Sequence, residues 1–516
     1  MEIIDFFDHG VALAPDADCF VMGARSWSYR SVQAKTKQIA GAFARAGLPA
    51  GRKVAVLSPN DPEAFICVLG VLRAHMVWLP INPRYALADI GNLLESFDCS
   101  ILFLHSSFAS ALADLRIRLP GLERIIAIDA SFEGIPSFSE WIQDSPADCE
   151  IPAAAPEDVV VILPTGGTTG KPKGVMQTHR GFECYVASHL ATMPQPGRPR
   201  YLVAAPMTHA AGFLSLPMFV RGGTVFIIES AKPRLVAEAI VEHCITDVFL
   251  PPTVIYMMLA DPEIRSMKFD SLRYLLYGAA PMSVEKLREA LTLFGPVLVQ
   301  GFGQVEAMLL CTVLKPEDHF RDGSIADDIR LSSCGRPAPF VNVAVMADDG
   351  KLLDTDEVGE IVVRASNVMR GYYRNPEATA AASRYGWHHT GDIGYRDSQG
   401  YYHLVDRARD IIISGGLNIY PSEIEQVIWA HPAVQDCAVV GIPDDKWGEA
   451  VTAVVELKPE ASVDDAELMA LCKDKLGSIK APKSIVYWPA LPRSPVGKVL
   501  KREIRETFWR DREGRI

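Results

Sequence analysis

The sequence predicts an α/β fold, with a large N-terminal domain of two doubly wound α/β subdomains plus a small β-rich subdomain, and a smaller α+β C-terminal domain. Three observations predict it. Short apolar runs alternate with helical spacings over 52–104, the same rhythm returns over 201–294, and the texture changes to short strands and turns after Ser333.

In the first stretch 54–57, 77–79 and 100–103 read as strands, and 62–74 and 88–96 as helices. Strand, helix, strand in succession implies parallel pairing, because a crossover of this length returns the chain in the same direction. In the second, the runs 201–205, 223–228, 247–250 and 274–277 read as strands, each followed by a helix-competent stretch such as 232–243 or 283–294. Short strands at 341–346 and 359–364 flank the turn Asp348-Asp349-Gly350, which points to the β-rich subdomain. The polar segment 405–410 reads as a linker. Beyond it a helix (421–430), two strands (434–441, 451–457) and a helix (466–476) make a compact unit of ordinary domain size. There is no internal repeat or low-complexity tract.

A chain of 516 residues at 49% hydrophobic content can bury two or three cores. The net charge of −12 is spread without a basic block, which argues against nucleic acid or an anionic membrane as the main partner. The N-terminus carries acids where a signal peptide needs a basic start, and the longest apolar run, 65–81, is broken by Arg73. The C-terminal Gly-Arg-Ile is not a peroxisomal Ser-Lys-Leu signal. These features predict a cytoplasmic protein with no integral membrane segment. The ten cysteines form no Cys-x-x-Cys pair, as expected of reduced thiols and not of a zinc site.

The segment 163–175 carries most of the chemistry. Gly166, Gly167 and Gly170 let backbone N–H groups turn toward an anion, Thr165, Thr168 and Thr169 add hydroxyls, and Lys171 and Lys173 add charge. Taken alone it reads equally as a phosphate loop or a flexible surface loop. A P-loop NTPase is excluded, because Thr165 stands where the first Gly is needed and Pro172 follows Lys171.

Read whole, this segment resembles the phosphate loop of the adenylate-forming superfamily, which includes acyl-CoA synthetases, aryl-CoA ligases, luciferases and peptide-synthetase adenylation domains; Gly166 departs from the usual second hydroxyl. Further motifs support the resemblance. Gln300-Gly301-Phe302-Gly303-Gln304-Val305-Glu306 resembles the segment that implies Phe302 as an adenine platform and Glu306 as a Mg²⁺ ligand, with Thr165 as a second metal contact. Val305 replaces a Thr that supplies an α-phosphate hydrogen bond in the family, a donor whose loss commonly costs ~10²-fold in rate. Gly278-Ala279-Ala280 resembles the adenine-pocket loop. Trp387-His388-His389-Thr390-Gly391-Asp392 implies Asp392 as acceptor from both ribose hydroxyls, a task that suits a carboxylate's two oxygens. The segment 406–410 resembles the interdomain hinge, with Arg407 a ribose or phosphate contact and Arg409 the pivot, and Gly415-Gly416 the loop that admits the CoA arm. The terminal motif 492–498 implies Lys498 as a catalytic cation carried on a mobile domain.

His209 resembles the residue gating the acyl pocket, with Ala211, Gly212, Ser215, Tyr277, Gly303 and Leu309 as pocket positions that suggest a mid-sized hydrophobic acid of fatty, aromatic or steroid-derived type. The resemblance therefore implies an adenylation domain at 1–406, a hinge at 407–410 and a mobile domain at 411–516. It implies a ligase using ATP, Mg²⁺ and coenzyme A on a small-molecule carboxylic acid, and leaves a homodimer open. A free-standing enzyme loading a carrier protein, a luciferase-like oxygenase and a non-catalytic nucleotide binder stay as alternatives. With Ile516 soon after Lys498, a fused carrier domain is not expected.

Overall fold

The computed structural model describes residues 1–147, 149, 151–165, 172–444, 446–494 and 498–510. Among these, the strands form a seven-stranded, a nine-stranded and a four-stranded sheet, a two-stranded ribbon, and a five-stranded sheet near the C-terminus.

In the seven-stranded sheet, Lys53–Leu57 pairs in parallel with Val77–Pro80 on one side and Ile101–Leu104 on the other. The intervening helix Pro62–Arg73 starts where its sequence says it should. Pro62 occupies the first turn, where no N–H is needed, and the Asp61 carboxylate accepts from the Glu63 N–H at 2.7 Å. The strand Val159–Thr165 joins the same sheet beside Trp78 and returns antiparallel through Lys173–Thr178, so the glycine-rich segment links two paired strands.

The nine-stranded sheet contains the parallel strands Arg200–Val203, Thr224–Ile227, Asp247–Phe249, Tyr274–Gly278 and Leu298–Phe302. Both its faces are covered: Leu202, Phe226, Val248 and Leu275 enter one core, while Tyr201, Val203, Val225 and Ile227 enter another. That is why these runs carry apolar residues on both faces instead of alternating with polar ones. The second of these cores also takes Val54, Val56, Trp78 and Phe103, so it is shared by the two large sheets.

One element lies outside the sequence reading. The N-terminal strand Asp18–Met22 bypasses the first sheet and pairs in parallel with Thr224–Ile227, some 200 residues on. Its five residues carry no periodicity that distinguishes one sheet edge from the other. The β-rich subdomain is the antiparallel sheet of Asn342–Met346, Gly359–Arg364, His388–Arg396 and Tyr402–Arg407. Its last strand ends at Arg407, and the C-terminal sheet begins at Ile412–Ser414. No helix among the described residues is long and apolar enough to cross a membrane.

Candidate active site

The site forms at the C-terminal ends of the parallel strands, where an open α/β sheet leaves its crevice. Tyr274–Gly278 and Leu298–Phe302 run side by side with Gly278 opposite Gly301. A Cβ on Gly278 would stand 2.5 Å from the Gly301 carbonyl oxygen, and one on Gly303 would stand 2.3 Å from that of Leu309. These glycines let backbones meet closely and leave a flat floor beside the half-buried ring of Phe302. Two non-glycine residues at its rim, Ala279 (φ +65°) and Leu309 (φ +62°), hold left-handed backbone, a strained conformation that concentrates at functional sites.

Asp392, 5% exposed, has both oxygens engaged. Arg407 Nε lies 2.8 Å from Oδ1, and Gln304 Nε2 donates to Oδ2 at 2.7 Å and to the Thr390 carbonyl at 2.8 Å. Burial raises the carboxyl's pKa, and the Arg407 guanidinium opposes that rise. Gln304 thus ties the 300–306 segment to the 387–392 segment.

On the other side of the crevice, Glu306 Oε1 accepts from the Tyr372 hydroxyl at 2.8 Å, and the Glu306 carbonyl accepts from the Met369 N–H at 2.7 Å. Lys173 Nζ sits 4.9 Å above the Tyr372 ring, and Thr165 Oγ1 donates to the Lys173 carbonyl at 3.4 Å. Thr165, Lys173 and Glu306 therefore gather around Tyr372. Gly166, Gly167, Thr168, Thr169 and Gly170 lie outside the described residues.

Lys498 pairs with Ser494: the Ser494 N–H donates to its carbonyl at 2.8 Å and its own N–H donates to Ser494 Oγ at 3.2 Å. The residue is exposed, yet enough protein surrounds the ammonium to lower its pKa by desolvation, with Arg407 adding repulsion and Asp392 opposing. The lysine of the C-terminal segment and the carboxylate of the β-rich sheet thus lie within electrostatic reach. Arg409 Nε is 3.8 Å from Asp410 Oδ1 and largely exposed.

A profile of AMP-binding enzymes matches residues 7–373, and one of the AMP-binding enzyme C-terminal domain matches residues 423–498. The chain belongs to the AMP-binding enzyme family. It is 35% identical over 490 residues to the medium/long-chain-fatty-acid–CoA ligase FadD8 of Mycobacterium tuberculosis, covering 92% of this chain and 84% of that protein. It is equally 35% identical over 502 residues to a feruloyl-CoA synthase of an Amycolatopsis species, covering 96% and 97%. Among solved structures, the amide bond synthetase McbA from Marinactinospora thermotolerans has a TM-score of 0.88 at 31% identity, covering 98% of this chain and 100% of that one.

In this AMP-binding enzyme, several expected pocket positions turn out to have other physical reasons. Gly212 is buried, and a Cβ there would stand 2.3 Å from the Met207 carbonyl oxygen and 2.5 Å from the Phe65 ring, so close packing by itself calls for glycine here. Tyr277 faces the core opposite to the one that receives Tyr274 and Leu276, because strand side chains alternate; its hydroxyl meets His319 Nε2 at 3.1 Å. Leu276 enters the core shared with the seven-stranded sheet. Ala211 and Leu309 are half-buried, and Ser215 is fully buried. Gly415 (φ +59°) and Gly416 (φ +80°) form the two-residue turn between Ile412–Ser414 and Leu417–Ile419, and two positive φ values in a hairpin turn favour glycine by themselves. Trp447, 42% exposed, packs over Gly415.

Tyr372 and the linking role of Gln304 were missed by sequence reasoning. The signal for Tyr372 was present as Gly371-Tyr-Tyr-Arg-Asn-Pro376, an aromatic pair between a glycine and a capped helix start. Gln177, whose Nε2 donates to the Val305 carbonyl at 2.8 Å, carries no local signal at all.

His209 is neutral at pH 7, since burial pushes its pKa down to about 4. The same cause takes His189 down to about 3, with Arg221 assisting, and His319 to about 4. Each folded value lies below the unfolded value of about 6.5, so the unfolded chain binds more protons between them. Their stabilisation is complete above about pH 6.5 and is lost as pH falls toward 4, at a cost on the order of 3 kcal/mol for each group. The urea midpoint therefore drops steeply between pH 6.5 and 5 at constant slope; a flat midpoint across that window would show that these imidazoles are not buried neutral.

Proposed function

We propose that this enzyme is an ATP-dependent acyl-CoA ligase of AMP-forming type, which converts a hydrophobic carboxylic acid to an acyl-adenylate and passes the acyl group to the thiol of coenzyme A. The observation that supports it best is the convergence of Asp392, Arg407 and Lys498 on one crevice with Glu306, Thr165 and Lys173 across it. Pure nucleotide binding has no use for a cation presented from the C-terminal segment. The CoA ligases among its relatives support the same reading.

Asp392 accepts from the ribose hydroxyls, with Gln304 and Arg407 orienting its oxygens. The adenine lies on the glycine floor of residues 278, 301 and 303 beside Phe302. Residues 165–173 hold the phosphates. Among the described residues no group of three His, Cys, Asp or Glu side chains gathers, which suits a Mg²⁺ held by Glu306 plus phosphate oxygens better than a protein cage. The cation would neutralise phosphate charge, with Thr165 beside it. Lys498 donates toward the α-phosphate and the acid's carboxylate, where negative charge concentrates during attack. The acid's carboxylate oxygen bonds to the α-phosphorus, and pyrophosphate leaves with the bridging electron pair.

The second half-reaction uses residues 411–516 as a mobile unit turning about 407–410. Rotation withdraws Lys498 and turns the Gly415-Gly416 hairpin, flanked by exposed Ile413, Leu417 and Trp447, toward the crevice. The CoA sulfur then bonds to the acyl carbon and AMP leaves. A neutral His209 beside half-buried Ala211 forms the mouth of the acyl pocket.

The test is AMP release from ATP across fatty, aromatic and steroid-derived acids, with and without CoA. Turnover requiring both acid and CoA is expected. The likeness to an amide bond synthetase supports a rival acceptor, an amine; acid-dependent pyrophosphate exchange with turnover only on adding amines, or a carrier protein, would replace CoA as the acceptor.

A further inference from the structure

The short strand Gly371–Tyr372 joins the edge of the seven-stranded sheet by pairing antiparallel with Lys173–Thr178, Tyr372 opposite Val175. The residues around it dock two segments that are far apart in the chain. The Tyr373 N–H donates to the Gly174 carbonyl at 2.7 Å and the Arg370 N–H to that of Met176 at 2.9 Å, while the Met369 N–H donates to the Glu306 carbonyl at 2.7 Å. Val368 forms a β-bridge with Ala307, and Gln177 Nε2 donates to the Val305 carbonyl at 2.8 Å. Residues 368–373 therefore set the strand that leaves the phosphate segment in register with the segment that carries Glu306.

The Tyr372 side chain makes the same connection. It is 9% exposed, its hydroxyl donates to Glu306 Oε1 at 2.8 Å, and its ring face meets Lys173 Nζ at 4.9 Å. The Tyr372 N–H donates to Thr379 Oγ1 at 2.9 Å, so backbone pairing and this bond together fix where a side chain with only two torsions can place its hydroxyl. Lys173 and Glu306 carry opposite charges and both touch Tyr372, yet among the described residues they form no ion pair with each other. Tyr372 gives each a partner that does not neutralise it, which leaves a cation and an anion both available to a ligand.

We propose that Tyr372 is a positioning residue that aligns the Glu306 carboxylate for the divalent cation accompanying ATP and, through its ring, seats Lys173 beside the phosphates. The inference rests on the nucleotide and metal roles given to these residues in the acyl-ligase reading above, and adds the residue that sets them relative to one another. A phenol is a hydrogen-bond donor at neutral pH. Bound to one carboxylate oxygen, it fixes the plane of the group and leaves the other oxygen as a ligand. Removing such a partner of a metal-binding carboxylate typically costs about 10- to 100-fold in metal affinity. The aromatic face contributes separately, by attraction for the ammonium.

The experiment uses the full-length enzyme with Mn²⁺ as the probe, its binding in the presence of a non-hydrolysable ATP analogue read from the electron paramagnetic resonance of the free ion. Tyr372→Phe keeps the ring under Lys173 and removes the hydroxyl, and is expected to weaken Mn²⁺ binding by about tenfold or more. Tyr372→Leu removes the ring as well, and is expected to raise the Kd of the analogue by a further factor of about two to five. Adding Tyr372→Phe to Glu306→Ala costs no further Mn²⁺ affinity, because the hydroxyl acts through the carboxylate. Unchanged Mn²⁺ affinity in Tyr372→Phe overturns the inference, and if the urea midpoint falls in that variant the hydroxyl serves packing alone. A full additional loss on top of Glu306→Ala overturns it too, since Tyr372 would then act on something other than Glu306. The Mn²⁺ readout needs no turnover. If it behaves as expected while no acid supports AMP release, the ligase reading fails and the hold of Tyr372 on Glu306 stands.

Discussion

Lys498→Ala lowers acyl-adenylate formation by about 10²- to 10⁴-fold while thioester formation from supplied acyl-adenylate changes by only a few-fold. The asymmetry is the informative part. Lys498 lies within electrostatic reach of Asp392 and Arg407, and burial together with Arg407 lowers its pKa. That placement serves a step in which negative charge gathers at the α-phosphate. Lys498 is an exposed residue, so the truncation removes a charge without opening a core. ATP–pyrophosphate exchange reads the first step, and CoA-dependent consumption of synthetic acyl-adenylate reads the second. Equal loss in both steps, with an unchanged denaturation curve, would contradict the alternation of the C-terminal unit.

Asp392→Ala is expected to raise the KM for ATP by about ten- to a hundredfold, since two charge-assisted hydrogen bonds to the ribose disappear together. It also destabilises the fold by about 1–3 kcal/mol, the cost of leaving one Gln304 N–H without its acceptor while the other stays on the Thr390 carbonyl. Asp392→Asn separates the two effects. The amide retains the shape and one acceptor, so most of the stability returns while the affinity for ATP does not. Isothermal titration with a non-hydrolysable ATP analogue, alongside urea denaturation of both variants, checks this. An Asn variant that binds like the parent would remove Asp392 from the ribose.

Much of the architecture was legible because its cause is local. Runs with apolar residues on both faces, separated by helical spacings, admit little besides parallel strands covered on both sides, and the helices over 62–73, 233–242 and 284–294 arise within a residue or so of where the pattern put them. The motif residues were legible for a related reason: Asp392, Glu306 and Lys498 each stand in an ordered segment whose chemistry needs that residue type. Tyr372 and Gln304 were not, since an aromatic hydroxyl on a glutamate and an amide on an aspartate are contacts made across 66 and 88 residues of chain. Tyr277 shows the opposite case: proximity in sequence to a pocket segment made it a pocket residue, whereas strand alternation turned it into the other core.

By itself the sequence determined the fold class, the family resemblance and the charged groups that the chemistry requires, because hydrophobic periodicity and short motifs are properties of neighbouring residues. Only the tertiary structure decided which side chains share a crevice and that Asp18–Met22 completes the second sheet. Those are contacts between segments far apart in the chain, and their selection depends on packing the whole core at once, information that no window of residues contains.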